Sequence, residues 1–354
     1  MKNRIDSLDW LRGLLAVSIL LYHIISWETG KLGSSSFLGK LGVYGVSMFF
    51  VLSGLSMALV YSHYIKDVRT SVFFFIRRIV RIWPLMWFAV FSSVFIAFLA
   101  GNRYPISKIV LNITTLFGFV NHSASTINTG AWSIGNEMVY YSLTPFILIL
   151  YNWRKWCGNI VLLASVVLAV YFSGYAMDSS SSLGAQWGIY KNPFNNFFLY
   201  CAGIALYYNF SEVKKELWVM YILATALSLF IFYPISGDQI FMVTGVGRVV
   251  FSVLSVIIVY GFYKMPFEFN NVLGKALSHL GTITYGVYLL HPLVYGVLLV
   301  ISKRFRVILH PAVMVFAVLA LTIILALIVY HLYELKFIQI GKRLTQRTPQ
   351  FENR

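Results

Sequence analysis

The sequence predicts an all-α, polytopic integral membrane protein with about ten transmembrane helices in a single membrane domain. Three observations predict it. Of the 354 residues, 59% are hydrophobic and only 11% are charged, against about a quarter charged in soluble domains. Apolar runs of about 20 residues, the length that crosses the hydrocarbon of a bilayer, recur along the chain. The basic residues behind the net charge of +16 stand mainly between those runs, where they act as topology signals and not as a nucleic-acid-binding face. The two cysteines, Cys157 and Cys201, fall on separate segments and make no disulfide framework.

The first span is placed at about 8–28. Lys2 and Arg4 precede it, but Asp9 and Arg12 interrupt its start and no small-residue cleavage site follows, so it reads as a retained helix and not a cleaved signal. A Gly/Ser-rich connection, 30–36, leads to a second helix at about 40–63. The next connection holds Lys66, Arg69, Arg77, Arg78 and Arg81, a basic density that marks it, and with it the N-terminus, as cytoplasmic. A third helix is expected at about 82–100. Residues 107–120 are apolar but too short for a span and read as re-entrant or interfacial.

The fourth helix begins near Trp132 and ends before Arg154, and the fifth covers about 157–175 before a serine-rich outer loop. Further spans are placed at about 194–209, 217–234, 240–263, 280–301 and 311–333. A basic tail over 336–354, with Lys336, Lys342, Arg343 and Arg347, puts the C-terminus in the cytoplasm as well. Only the basic group at 303–306 opposes this count, which places it outside. No internal repeat and no appended soluble domain is evident.

Ionisable residues inside such spans are costly and therefore point to function. Arg12 and His23 are eleven residues apart on the first helix. That separation is a net rotation of about 20° and a rise of roughly 16 Å, so they share one face at two depths. Snorkelling to the headgroups would explain Arg12 alone, whereas His23 lies too deep for it and titrates near neutral pH. Arg78 and Arg81, three apart, share a helical face, and guanidinium forks suit phosphate. With Arg12 at the same level they could form a pocket for a phosphate-rich cofactor. Glu137 is the only acidic residue well inside an apolar span on this map, and Ser133 and Tyr141, each four residues away, share its face. It needs a cation, a histidine or a polar cavity beside it. Ser53-Gly54 suits close helix packing. His291, just before Pro292, is a candidate cavity-lining group at an expected kink. His63, His122, His279, His310 and His331 fall at ends or loops.

These stretches together resemble the acyltransferase 3 family of integral membrane acyltransferases. The resemblance runs from Leu8 to about Glu334 and is carried by Leu8-Asp9-Trp10-Leu11-Arg12-Gly13 with His23, Phe49-Phe50-Val51-Leu52-Ser53-Gly54, Arg77-Arg78-Ile79-Val80-Arg81-Ile82-Trp83-Pro84, Trp132-Ser133-Ile134-Gly135-Asn136-Glu137 and Tyr288-Leu289-Leu290-His291. It implies O-acylation in a bacterial inner membrane, moving an acyl group, commonly acetyl, from cytoplasmic acyl-CoA to a hydroxyl of an envelope or exported glycan, with no metal. Arg12 and His23 match the family's first-helix pair, and Arg78 and Arg81 its paired arginines. Glu137 falls on its acidic position, although the Ile-Gly-Asn before it departs from the more apolar and acidic stretch that is common. Some members carry a C-terminal hydrolase-like domain, and its absence here implies a single-component enzyme.

On that reading Arg12, Arg78 and Arg81 hold the CoA phosphates. His23 acts as general base or carries the acyl group, and Glu137 orients its imidazole as in a triad. A proton-coupled transporter or exporter of a glycan or small metabolite would also use intramembrane Arg, His and Glu. Its expected signature, discontinuous helices in repeated halves, is not seen in the sequence.

Overall fold

The computed structural model describes residues 5–120, 126–267, 269 and 271–345. Lys2, Arg4, His122 and Arg347 lie outside the described residues. Among the described residues all regular structure is helical.

The N-terminal half runs α1 (Asp6–Thr29), α2 (Phe37–Tyr61), α3 (Val68–Leu99), the short α4 (Ile106–Ile113) and α5 (Phe117–Val120), α6 (Ala131–Trp153) and α7 (Lys155–Tyr171). A single π turn, Phe172–Ala176, extends α7. The C-terminal half runs α8 (Trp187–Tyr190), α9 (Pro193–Phe210), α10 (Trp218–Phe232), α11 (Ile240–Val243), α12 (Gly245–Tyr263), α13 (Val272–Thr282), α14 (Thr284–Phe305) and α15 (Pro311–Val329). A second π turn, Tyr330–Glu334, joins α15 to α16 (Leu335–Leu344).

Seven of the described helical stretches are long and apolar enough to cross a membrane: α1, α2, α3, α7, α12, α14 and α15 through α16. The expectation of about ten is met only to that extent. The other expected spans correspond to α6, α9 and α10, the last with only 15 residues. The short α4 and α5 occupy 107–120, and neither has the length of a span.

Three boundaries differ from the sequence expectation, each for a local reason. Helix α3 starts fourteen residues before the expected position because Asp67 and Thr70 form a capping box. The Asp67 carboxylate accepts the Thr70 amide at 2.7 Å, and the Thr70 hydroxyl accepts the Asp67 amide at 3.0 Å. The arginine run therefore sits within a helix and not in a connection. The expected span at 280–301 is divided at Ile283, and its N-terminal part belongs to α13, which packs on α1. The expected tail is helical as far as Leu344 and packs against α3, where Arg77 donates to the Thr345 hydroxyl at 2.6 Å.

Packing at the centre depends on close backbone approach. A Cβ on Gly54 would stand 2.0 Å from the Tyr200 carbonyl oxygen, and one on Gly203 would stand 2.0 Å from that of Val51. Reciprocal glycines thus bring α2 and α9 into backbone contact, the small-residue packing that replaces hydrophobic drive inside a bilayer. Large apolar side chains face outward instead, among them Phe91, Phe95 and Phe98 on α3, Leu163, Val167 and Val170 on α7, and Phe316 on α15. Lipid solvates such faces, and water would not.

Candidate active site

A cavity of about 470 Å³ opens among α1, α2, α3, α6, α13, α14 and the second π turn. Its size is that of a small-molecule site. Its lining includes Arg12, Arg78, Arg81, Ser133, Glu137 and Tyr141. Six of the eight site residues expected from the sequence therefore meet in one space. His23 and His291 are not part of that lining.

The three arginines are held differently. Arg12 donates to the Asp9 carboxylate at 2.6 Å through Nη1 and to the Ser56 hydroxyl through Nη2. Arg78 donates through Nη2 to the Tyr61 hydroxyl at 2.8 Å, with its guanidinium over the Tyr61 ring. Arg81 has no hydrogen bond to any described residue; it lines the cavity and is the cation facing Glu334. Arg77, in the same run, is turned away onto Thr345 and the Tyr64 ring. Within little more than one helical turn the run thus holds an arginine that ties two helices together and two that face the cavity.

Glu137 reaches the cavity from α6. Its Oε2 accepts from the Tyr141 hydroxyl at 3.2 Å, and that hydroxyl also pairs with Ser53 at 3.0 Å. Arg78 and Arg12 are the cations facing it. The expected contact between Glu137 and the His23 imidazole is not formed, because α6 carries its carboxylate to the arginine side of the cavity. Ser133 ends the cavity on another side, where its hydroxyl pairs with that of Tyr288 at 2.9 Å and donates to the Gly130 carbonyl at 3.1 Å.

His23 instead meets His291. Nδ1 of His23 and Nε2 of His291 are 2.9 Å apart, and the Tyr288 ring, which lines the cavity, lies 6.3 Å from the His291 ring. His291 is fully buried, while His23 is partly exposed and stacks on Trp27 with the planes 5° apart. One turn further along both helices, the Tyr295 hydroxyl donates to the Glu28 carboxylate at 2.8 Å. The site is therefore a polar cavity at one level and a histidine pair at another, with Tyr288 and Ser133 beside the step from one to the other.

Sequence reasoning missed Glu334. The π turn continues α15 past the expected end of its span and buries this carboxylate, which faces Arg81 and whose Oε1 has no hydrogen-bond partner among the described residues. Its signal was an acidic residue one position beyond the last apolar run. It also missed Arg248, buried on α12 and donating to the Asn195 carbonyl at 2.8 Å.

The family model for an acyltransferase domain matches residues 5–331. The chain belongs to the acyltransferase 3 family. This family member is 25% identical over 325 residues to the peptidoglycan O-acetyltransferase OatA of Listeria monocytogenes, a match that covers 82% of this chain and 49% of that protein. It is also 25% identical over 317 residues to the putative peptidoglycan O-acetyltransferase YrhL of Bacillus subtilis, covering 81% and 48%. The chain spans about half the length of these curated relatives. No solved structure is significantly similar to it. As an acyltransferase 3 protein with seven apolar helices of membrane-crossing length among the described residues, it is a multi-pass membrane protein.

Proposed function

We propose that this acyltransferase 3 protein is a membrane O-acyltransferase that moves an acyl group from an acyl-CoA to a hydroxyl of an envelope glycan. The observation that carries the donor is the meeting of three guanidiniums, Arg12, Arg78 and Arg81, on one cavity, with Arg81 hydrogen-bonded to no described residue and facing the buried Glu334 carboxylate. Guanidinium forks match phosphate, and several converging on one cavity suit a ligand with more than one phosphate. The names of the two relatives support acetyl as the group and a cell-wall glycan such as peptidoglycan as the acceptor. The arginine end of the bundle faces the cytoplasm, and the whole protein sits in a bacterial inner membrane with both termini inside.

Arg12, Arg78 and Arg81 bind the phosphates, and the roughly 16 Å between the levels of Arg12 and His23 is spanned by the extended arm that follows. Tyr288 and Ser133 mark where the acyl end passes toward the histidine pair. Nε2 of His23 takes the proton of the acceptor hydroxyl as its oxygen bonds to the acyl carbon. The carbon–sulfur bond breaks, and the same proton passes to the leaving sulfur to give the free thiol. In the two-step variant Nε2 takes the acyl group as the carbon–sulfur bond breaks and a thiolate leaves; the acceptor oxygen then bonds to the acyl carbon as the carbon–nitrogen bond breaks, and the hydroxyl proton passes to the thiolate.

The test is acyl transfer by purified protein in detergent or nanodiscs, followed by mass spectrometry of the glycan. His23→Ala should insert normally and lose transfer by about 10²- to 10⁴-fold, the usual weight of a general base. Near-normal transfer by well-inserted His23→Ala would sink the assignment.

A further inference from the structure

The histidine pair has a direction. Nδ1 of His291 lies 3.2 Å from the carbonyl oxygen of Val287, one turn earlier on α14. A carbonyl only accepts, so Nδ1 of His291 carries the proton, and in a neutral imidazole Nε2 is then the bare acceptor. Nε2 of His291 faces Nδ1 of His23 at 2.9 Å, so the proton between them belongs to His23. Nε2 of His23 is consequently left as a bare lone pair. The opposite order would set the lone pair of His291 Nδ1 against those of the Val287 carbonyl.

Two features keep the order in place. His291 is fully buried, so no water competes for its nitrogens. The rings of His23, Trp27 and His291 form one near-parallel cluster, with Trp27 at 5.4 Å from His23 and 6.2 Å from His291 between centroids, and this packing opposes turning the His23 ring over.

We propose that His291 is a positioning residue for acyl transfer: it accepts the Nδ1 proton of His23 and so keeps Nε2 of His23 free for the reacting group. This rests on the reading of His23 as the reactive base. The role is that of the orienting group in a triad, filled here by a neutral imidazole. When Nε2 takes up a proton or an acyl group, positive charge develops on the His23 ring and the His291 lone pair stabilises it. Between turnovers no fixed charge is left in the apolar interior, where an unpaired carboxylate would be costly. The same argument explains why Glu137, on the arginine side, is not the partner.

The experiment compares His291→Gln, His291→Asn and His291→Leu in the full-length protein, each checked for insertion and monodispersity. The Gln amide oxygen can stand where Nε2 stands, whereas the shorter Asn reaches only the Nδ1 position. Transfer should stay within about tenfold of wild type in His291→Gln and fall roughly 100-fold in His291→Asn and His291→Leu, the scale of a misplaced reacting group. The KM for acyl-CoA should be unchanged in all three, because His291 lies outside the cavity lining. Wild-type rates in His291→Leu, or equal losses in His291→Gln and His291→Asn, would overturn the proposal. If His291→Leu fails to fold, the Gln and Asn pair decides alone. Full activity in His23→Ala is a separate result and overturns the functional reading instead.

Discussion

Replacing Arg81 with methionine keeps the apolar stem and removes only the guanidinium. In the structure that group hydrogen-bonds to no described residue, but it is the cation facing the buried Glu334 carboxylate. Tm should fall, because Glu334 loses that cation, so binding is compared on variant protein shown to be folded. Donor binding should not be spared, because a guanidinium on a phosphate makes charge-assisted, often bidentate hydrogen bonds worth about 2–3 kcal/mol in a partly desolvated site. At 1.4 kcal/mol per factor of ten, Arg81→Met should weaken CoA binding about 30- to 150-fold. Titration calorimetry in detergent measures this directly, with pantetheine, which lacks the nucleotide phosphates, as a ligand that should not discriminate wild type from variant. Arg77→Met is the matched control, since Arg77 is engaged by Thr345 and Tyr64 outside the cavity. Unchanged CoA affinity in Arg81→Met, or an equal loss in Arg77→Met, would refute the phosphate role.

Three further outcomes follow from the same geometry. Glu137→Gln keeps a partner for the Tyr141 hydroxyl but removes the negative charge facing Arg78 and Arg12. CoA should therefore bind several-fold tighter in a titration, and looser binding would show that Glu137 contacts the donor favourably. Gly203→Val drives a side chain into the Val51 carbonyl, so Tm should fall by the equivalent of about 1–3 kcal/mol, or the protein should fail to insert. A variant with wild-type Tm would show that α2 and α9 can separate freely. Asp238 lies outside the spans. Burial works to raise its carboxyl, but the amides of Leu183 and Ile240 and the Lys31 ammonium outweigh this and hold it below the usual value. A lowered acid stabilises the fold above its unfolded value and loses that contribution as pH falls through the folded one. Thermal melts against pH should show the acid limb flattened in Asp238→Asn, and superimposable profiles would contradict the ion pair's role.

Much of the site was legible along the chain because membrane burial makes charge conspicuous. Arg12, Arg78, Arg81 and Glu137 are ionisable residues in or beside apolar runs, and helical periodicity set Ser133 and Tyr141 on the face of Glu137. All of them line the same cavity. Glu334 escaped because apolarity ends at Tyr333, and only the π turn that continues α15 carries the next residue inside. The early start of α3 escaped because the apolar pattern begins late, although Asp67 and Thr70 hold the spacing of a capping box.

By itself, then, the sequence determined the all-helical membrane class, the family and six of the residues that line the candidate site's cavity, since each follows from composition, periodicity or motif order within single segments. Tertiary structure alone decided who meets whom. Residues 23 and 291 are brought to 2.9 Å across α1 and α14, while Glu137 is carried to the arginines. Helical spacing fixes the face a residue occupies on its own helix, but the approach of two helices far apart in the chain depends on packing. Here that packing includes the contacts of Gly54 and Gly203; its own segment shows Gly54 as a close-packing position, but not that Gly203 is its counterpart.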